Sequence, residues 1–345
     1  MINKNNPHTC YNAAVKVSET GEFKLIERIS QLVKESNQFQ SGLLIGIGDD
    51  AAAWKCCGKI QLCTTDCLIQ DVHFDMKFTG WRELGWKSIA VNLSDIAAMG
   101  GIPRYALVSL AVPWDTEVED ILTLYEGMIE IANLYGVAIA GGNISASEKV
   151  VINITLHGHS EEMKLLSRSS ARIGDVIAVT GFTGLSAAGF LMFKKQLSFN
   201  KEPSELFRGA HLKPVPRVKE GQTLIKLGVK TAIDISDGLL ADLGHICDAS
   251  NVSALIKAGD VPVNSALKNS FKDDYLSLAL NGGEDYELLF TASPHVTNKV
   301  KSALNCPVTV IGEIIEHGSI PVKLTDSNGK EISVPGTGWN HFISK

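Results

Sequence analysis

At 345 residues the chain is long enough for two domains with hydrophobic cores of their own, since domains run to roughly 100–200 residues. Its 32 basic and 38 acidic residues leave a formal net charge of −6, which works against sequence-independent attraction to nucleic acid or to an anionic membrane. An anionic substrate therefore needs local help from a basic residue or a metal.

Residues 1–21 are polar, without the apolar stretch of a secretory signal, and read as an N-terminal extension. Leu25, Ile26, Ile29, Leu32 and Val33 recur at helical spacing, so Glu22 to about Ser36 is expected to form an amphipathic helix. Strands are expected at 43–47 and 59–65, with a hairpin turning at Gly58. "WRELGWKSIAVNLSDIAAMGG" (81–101) reads as a helix stopped by its Gly-Gly, and 104–113 as a strand. A helix over 116–134 follows, opened by acidic residues that suit its N-terminal dipole. The strand "VAIA" runs into Gly141-Gly142-Asn143, and a strand at 150–157 closes this half.

After "RSSARIGD" (168–175) the pattern restarts with the strand "VIAVTG" and a helix from about Leu185. Helices near 217–227 and 238–249, strands near 231–235, 286–291 and 308–312, and a hairpin around Asn328-Gly329 complete it. The expected class is α/β or α+β. The expected organisation is an extension (1–21), an N-terminal domain (22–166) and a C-terminal domain (167–345). Seven cysteines is an odd number, and Cys56-Cys57 and Cys63/Cys67 lack zinc or thioredoxin-type spacing. The thiols are read as reduced and the protein as cytoplasmic; no run of about 18 apolar residues suggests a membrane span.

"GIGDDAA" (46–52) matches a dinucleotide fingerprint in letters only. That fingerprint needs a helix at the turn, whereas a hairpin follows here, and Asp49 and Asp50 would oppose a pyrophosphate. Aspartates in an apolar setting want a cation instead. Acids or amides among small residues recur in "CTTDCLIQDVHFD" (63–75), "VNLSDIAAMGG" (91–101), "AGGNIS" (140–145), "IDISDGLLADLGHI" (233–246) and "NGGEDYELLF" (281–290). Each alone fits a helix cap or a turn; the set does not reduce to that. Hard oxygen donors without a matching His/Cys set suggest Mg²⁺, whose usual guest is a phosphate ester. No P-loop and no protein-kinase motif set is present, so metal-bound aspartates are expected to replace the lysine-and-amide cradle, with Arg168 as an extra cation. His157 and His159 share a strand face, with a structural role expected.

"GIGDDAA", "TTDCLIQDVHF", "GWKSIAVNLSDIAAMGGIP", "RSSARIGDVIAVTG", "DISDGLLADLGHI", "GGEDYELLF" and "GWNHF" together resemble, in this order, the thiamine-monophosphate kinase family, from about Gly21 to Phe342. The resemblance implies an aminoimidazole-ribonucleotide synthase-like fold of two α/β domains, whose N-terminal domains pair into a homodimer around a β-barrel. It implies transfer of the ATP γ-phosphoryl group to thiamine monophosphate, with several Mg²⁺ ions. By motif position Asp50, Thr64, Thr65, Asp66, Asp95, Asn143 and Asp234 are implied metal ligands, and Asp237 a ligand of a further ion. The resemblance further implies that Asp66, Asp95 and Asp234 would serve catalysis. Gly142, Asn143, Arg168 and Ser236 would contact ATP; His73, Glu284 and Trp339 would hold the thiamine phosphate. Many relatives have Asp where this chain has Asn143, which is expected to weaken metal binding without nucleotide. The alternatives are another ATP-dependent enzyme of the superfamily and a non-catalytic nucleotide sensor.

Overall fold

The computed structural model describes residues 24–27, 30, 31, 43–161 and 163–334. Lys24–Glu27, Ser30 and Gln31 are helical; the rest of the helix expected from Glu22, and Trp339, lie outside the described residues. From Leu43 the chain builds two six-stranded sheets.

The first sheet contains β1 (Leu43–Ile45), β2 (Ala52–Cys56), β3 (Lys59–Ile69), β4 (Ile102–Val112), β5 (Ala138–Ala146) and β6 (Val151–Ser160), in the order β1-β2-β3-β6-β4-β5. Cys57 and Gly58 both adopt positive φ, 49° and 75°, as a two-residue hairpin turn requires. Along β3, Ile60, Leu62, Thr64, Asp66 and Leu68 share the inner face, while Thr65 and Cys67 point outward. Strand alternation thus sends Thr64 and Thr65 to opposite sides of the sheet. On the inner face lie α1 (Trp81–Ala98) and α2 (Val118–Tyr135).

α1 is buried nearly all round, including Lys87, Asn92 and Ser94. Gly85 allows the close approach of α2: a Cβ there would fall on the Leu124 carbonyl. Gly221 does the same on the other side, against the Ala97 carbonyl, for α5 below. The expected Gly-Gly stop is present, with Gly100 at φ 69°.

The second sheet contains β7 (Val176–Thr180), β8 (Thr231–Asp234), β9 (Ser253–Lys257), β10 (Leu288–Ala292), β11 (Val308–Ile315) and β12 (Val322–Thr325), in the order β12-β9-β11-β7-β10-β8. The helices of this half are α3 (Leu185–Lys194), α4 (Lys201–Leu212), α5 (Val218–Lys226), α6 (Leu239–Ser250), α7 (Ser265–Ser270), α8 (Tyr275–Asn281) and α9 (Pro294–Ala303). Ala178, Ala232, Leu288 and Phe290 join the core around α1, whereas Ile177, Val179, Ile233 and Leu289 join the core around α6. Burial on both faces explains why β7, β8 and β10 read as continuous apolar runs rather than alternating ones.

Several elements differ from the sequence reading. β5 continues through Ala146, so Gly142 and Asn143 lie inside a strand rather than in the turn after it. Gly142 permits this, because a Cβ there would strike the Val108 carbonyl of β4. Helices α4, α7, α8 and α9 and strand β9 were not expected. α4 is largely polar and carries Pro203 in its first turn, where proline is tolerated. α9 begins with a Ser293 cap and Pro294, a start signal the apolar pattern does not reveal. The hairpin at Asn328-Gly329 is present, with Gly329 at φ 77°. Among the described residues the first sheet is open, ending in β1 and β5, and no helix is long and apolar enough to cross a membrane.

Candidate active site

Three elements and one turn bring acids together. β3 carries Thr64 and Asp66, α1 carries Asn92, Ser94 and Asp95, β8 ends on Asp234, and the turn between β1 and β2 presents Asp49 and Asp50. Asp50, Asp95 and Asp234 offer carboxylate oxygens all within 4.8 Å of one another. The Thr64 hydroxyl donates to Asp95, and the Ser94 hydroxyl donates to Asp234 at 2.6 Å. The Asp66 N–H donates to the Asn92 side-chain oxygen at 3.2 Å, and the Asn92 amide donates to the Ser88 carbonyl at 3.1 Å. Arg168 faces this group: its Nη2 lies 2.6 Å from an Asp50 oxygen, and its backbone N–H donates to Asp49 at 3.3 Å.

Like charges this close repel by about 3–4 kcal/mol per pair at the effective dielectric of a protein. Burial pushes the Asp234 carboxyl up to about 8, and the charge of Asp50 adds to the effect. Asp95 rises well above the ordinary carboxylate range through burial, then through Asp66, Asp234 and Asp50. Burial likewise raises Asp66 to about 6, and burial followed by the charge of Asp50 raises Asp49 to about 6. Burial works against the charge of Arg168, but the charges of Asp50, Asp49 and Asp234 and the hydrogen bond to Asp50 together outweigh it and hold the guanidinium protonated. A divalent cation would relieve the repulsion, and an all-carboxylate and hydroxyl donor set fits Mg²⁺. Asp50, Asp95 and Asp234 therefore form a fitting set for one.

The loop after β8 is held from beneath. One oxygen of Asp242 accepts the N–H groups of Ser236, Asp237 and Gly238 at 3.1, 3.2 and 3.1 Å. Asp237, Asp242 and His245 also form a second group of potential ligands, but the three N–H donors already occupy one Asp242 oxygen. The Glu284 N–H donates to the Ser236 carbonyl at 2.8 Å, and the Tyr286 N–H to the Ile235 carbonyl at 2.9 Å. Glu284 and Tyr286 take up positive φ, 66° and 50°, a strained backbone kept by these bonds. "DISDG" and "GGEDYE", distant in sequence, are thus one laced structure.

Glu284 extends its side chain to Lys87, 2.7 Å away, and to His211, 3.4 Å away. His73 follows β3, where its Nδ1 accepts the Ile69 N–H at 3.0 Å. The Thr65 hydroxyl donates to the Ile154 carbonyl at 3.1 Å on the outer face of the sheet, opposite to Asp66. Asn143 is paired with Ser109 on that same outer face, and both Gly142 and Asn143 are exposed. The structure therefore does not bring the Thr65 and Asn143 side chains to the carboxylate group. Ser94, Asn92, Asp242, Lys87 and His211 were not singled out from sequence. The signal for Lys87 was a charge inside an otherwise apolar helical run.

Residues 48–160 match the family model for the AIR synthase related protein, N-terminal domain, and residues 172–324 match that for the C-terminal domain. The thiamine-monophosphate kinase of Bacillus subtilis (strain 168) is 36% identical over 93% of this chain and 99% of its own length. That of Escherichia coli (strain K12) is 34% identical over 94% and 99%. A solved structure of AaThiL complexed with AMPPCP and TMP has a TM-score of 0.82 at 34% identity, covering 95% of this chain and 99% of that one. Thiamine monophosphate kinase from Aquifex aeolicus gives 0.76 at 31%, covering 93% and 100%. Matches of this extent, spanning both sheets and every element that supplies an acid to the site, mean that the chain belongs to the thiamine-monophosphate kinase family of AIR synthase related proteins.

Proposed function

We propose that this chain transfers the γ-phosphoryl group of ATP to thiamine monophosphate, giving thiamine diphosphate and ADP, with Mg²⁺ required. The observation that carries the reading is the convergence of Asp50, Asp95 and Asp234 from both halves of the chain beside Arg168. The AMPPCP and TMP complex of AaThiL supports it. Asp50, Asp95 and Asp234 would hold magnesium, with Thr64 and Asp66 beside them on β3 and Asp237 near a further ion. Bound magnesium neutralises phosphate charge and favours an in-line geometry. The chain's own part is to place and to orient. Ser94 and Thr64 fix the carboxylates of Asp234 and Asp95, and Asp242 stiffens the loop that carries Ser236. Arg168 and Ser236 face ATP in this reading, while His73, Glu284 and Trp339 hold the acceptor. The acceptor is already a phosphate oxyanion, so no general base is needed.

In the same reading residues 22–166 bind ATP and magnesium and form the dimer, and residues 167–345 complete the cleft. Two first sheets close into a barrel through the outer face that exposes Tyr105 and Leu107. The enzyme works in the cytoplasm. The acceptor assignment is tested by offering thiamine monophosphate and free thiamine separately with Mg-ATP and separating the products. Thiamine diphosphate from the monophosphate alone is expected; phosphorylation of free thiamine would overturn the assignment.

A further inference from the structure

Lys87 is 1% exposed, on a helix that is buried nearly all round. A methionine would fill the same space without a desolvation cost, so packing does not explain the charge. Its ammonium reaches across to Glu284 Oε1 at 2.7 Å. The other Glu284 oxygen lies 3.4 Å from His211 Nδ1, which is also 3.2 Å from the Ser186 hydroxyl. Burial, then the Lys87 charge, pushes His211 down to about 3, so the imidazole is neutral. Glu284 thus answers one full positive charge, and its carboxylate keeps lone pairs to spare. Its side chain is 30% exposed, and its backbone is tied to the Ser236 loop that leads out of Asp234. The Trp86 indole N–H donates to the Pro214 carbonyl at 2.8 Å, joining α1 to the segment after α4 that carries His211. A surface ion pair would have neither the buried partner nor this bracing.

We propose that Lys87 is a positioning residue for the acceptor: its buried ammonium fixes the Glu284 carboxylate beside the Ser236–Gly238 loop, so that its free lone pairs meet the N–H donors of a nitrogen heterocycle. This rests on the reading that Glu284 touches thiamine monophosphate. Lys87 sets how that carboxylate is aimed and has no part in the transfer step.

The test compares wild type, Lys87→Met, Glu284→Gln and the double variant in steady-state kinetics, with circular dichroism and thermal melts as controls. Lys87→Met is expected to raise KM for thiamine monophosphate by about tenfold or more, the scale of one lost charge-assisted hydrogen bond. Its kcat and its KM for ATP are expected to stay within about twofold, because the metal-binding carboxylates are untouched. The double variant is expected to be no worse than Glu284→Gln alone. A folded Lys87→Met with a lower melting temperature and unchanged KM would show a merely structural lysine, and effects that multiply in the double variant would show that Lys87 acts other than through Glu284; either overturns the proposal. Should Lys87→Met not fold, Lys87→Gln, which keeps a donor, is read by the same two criteria. A wild type that forms no thiamine diphosphate would overturn the acceptor reading itself, a result distinct from an active wild type with an unaffected Lys87 variant.

Discussion

Asp234 and Asp95 show how much of the site is electrostatic. Each is a buried carboxylate pressed toward its neutral form by burial and by neighbouring acids, with a hydroxyl as its steadying partner. Replacing either by Asn removes charge but little volume, so the circular dichroism spectrum should persist. Turnover to thiamine diphosphate should fall by at least about 100-fold, since metal neutralisation supplies several kcal/mol to the transition state. A variant that keeps near-normal turnover at low Mg²⁺ would remove that residue from the metal set. His211 makes a separate prediction about acid stability. Its pKa falls from 6.5 unfolded to about 3 folded, so the unfolded state binds the proton first. The stability it contributes is present above pH 6.5 and is lost as pH drops toward 3, by up to about 1.4 kcal/mol per unit. Urea unfolding between pH 7 and 4.5 should therefore show His211→Gln losing less stability than wild type; parallel losses would mean that His211 is not buried neutral.

The elements decide which of these residues can meet. α1 brings Lys87, Asn92, Ser94 and Asp95 to the site only because glycines let its neighbours come close. Gly85→Ala and Gly221→Ala should each cost about 1–3 kcal/mol of stability by forcing α1 off α2 or α5, and should reduce turnover with it. Gly209, inside α4, has open space where a Cβ would go, so Gly209→Ala should gain up to about 1 kcal/mol. Thermal melts of the three variants check the contrast, and equal shifts would contradict the packing argument. The acid motifs of Asp50, Asp95 and Asp234 were legible because each is a short local pattern of acid and small residues at an element end. Lys87, His211 and Asp242 were not, because their roles depend on partners 197, 73 and 4–6 positions away. The Gly-Gly stop marked α1 and the acidic opening marked α2, whereas α4 and α9, which cover the surface with polar residues, were missed. Thr65 and Asn143 could be placed only once strand alternation and the extent of β5 were known.

At the scale of the molecule, the first sheet leaves β5 at an edge and Tyr105, Leu107 and Ile144 exposed, a surface that a second copy would cover in the proposed homodimer. Sedimentation should give twice the chain mass, and Leu107→Glu should shift it toward the monomer; an unchanged monomer in both would reject the barrel pairing. The central claim is that an acid cluster drawn from both halves works as a phosphoryl-transfer site. The most direct measurement is a time course of thiamine diphosphate and ADP, starting from ATP and thiamine monophosphate, with and without Mg²⁺. The account predicts the two products in equal amounts with Mg²⁺ and neither when it is chelated. ADP formed without thiamine diphosphate, or thiamine diphosphate formed at an undiminished rate after chelation, would contradict it.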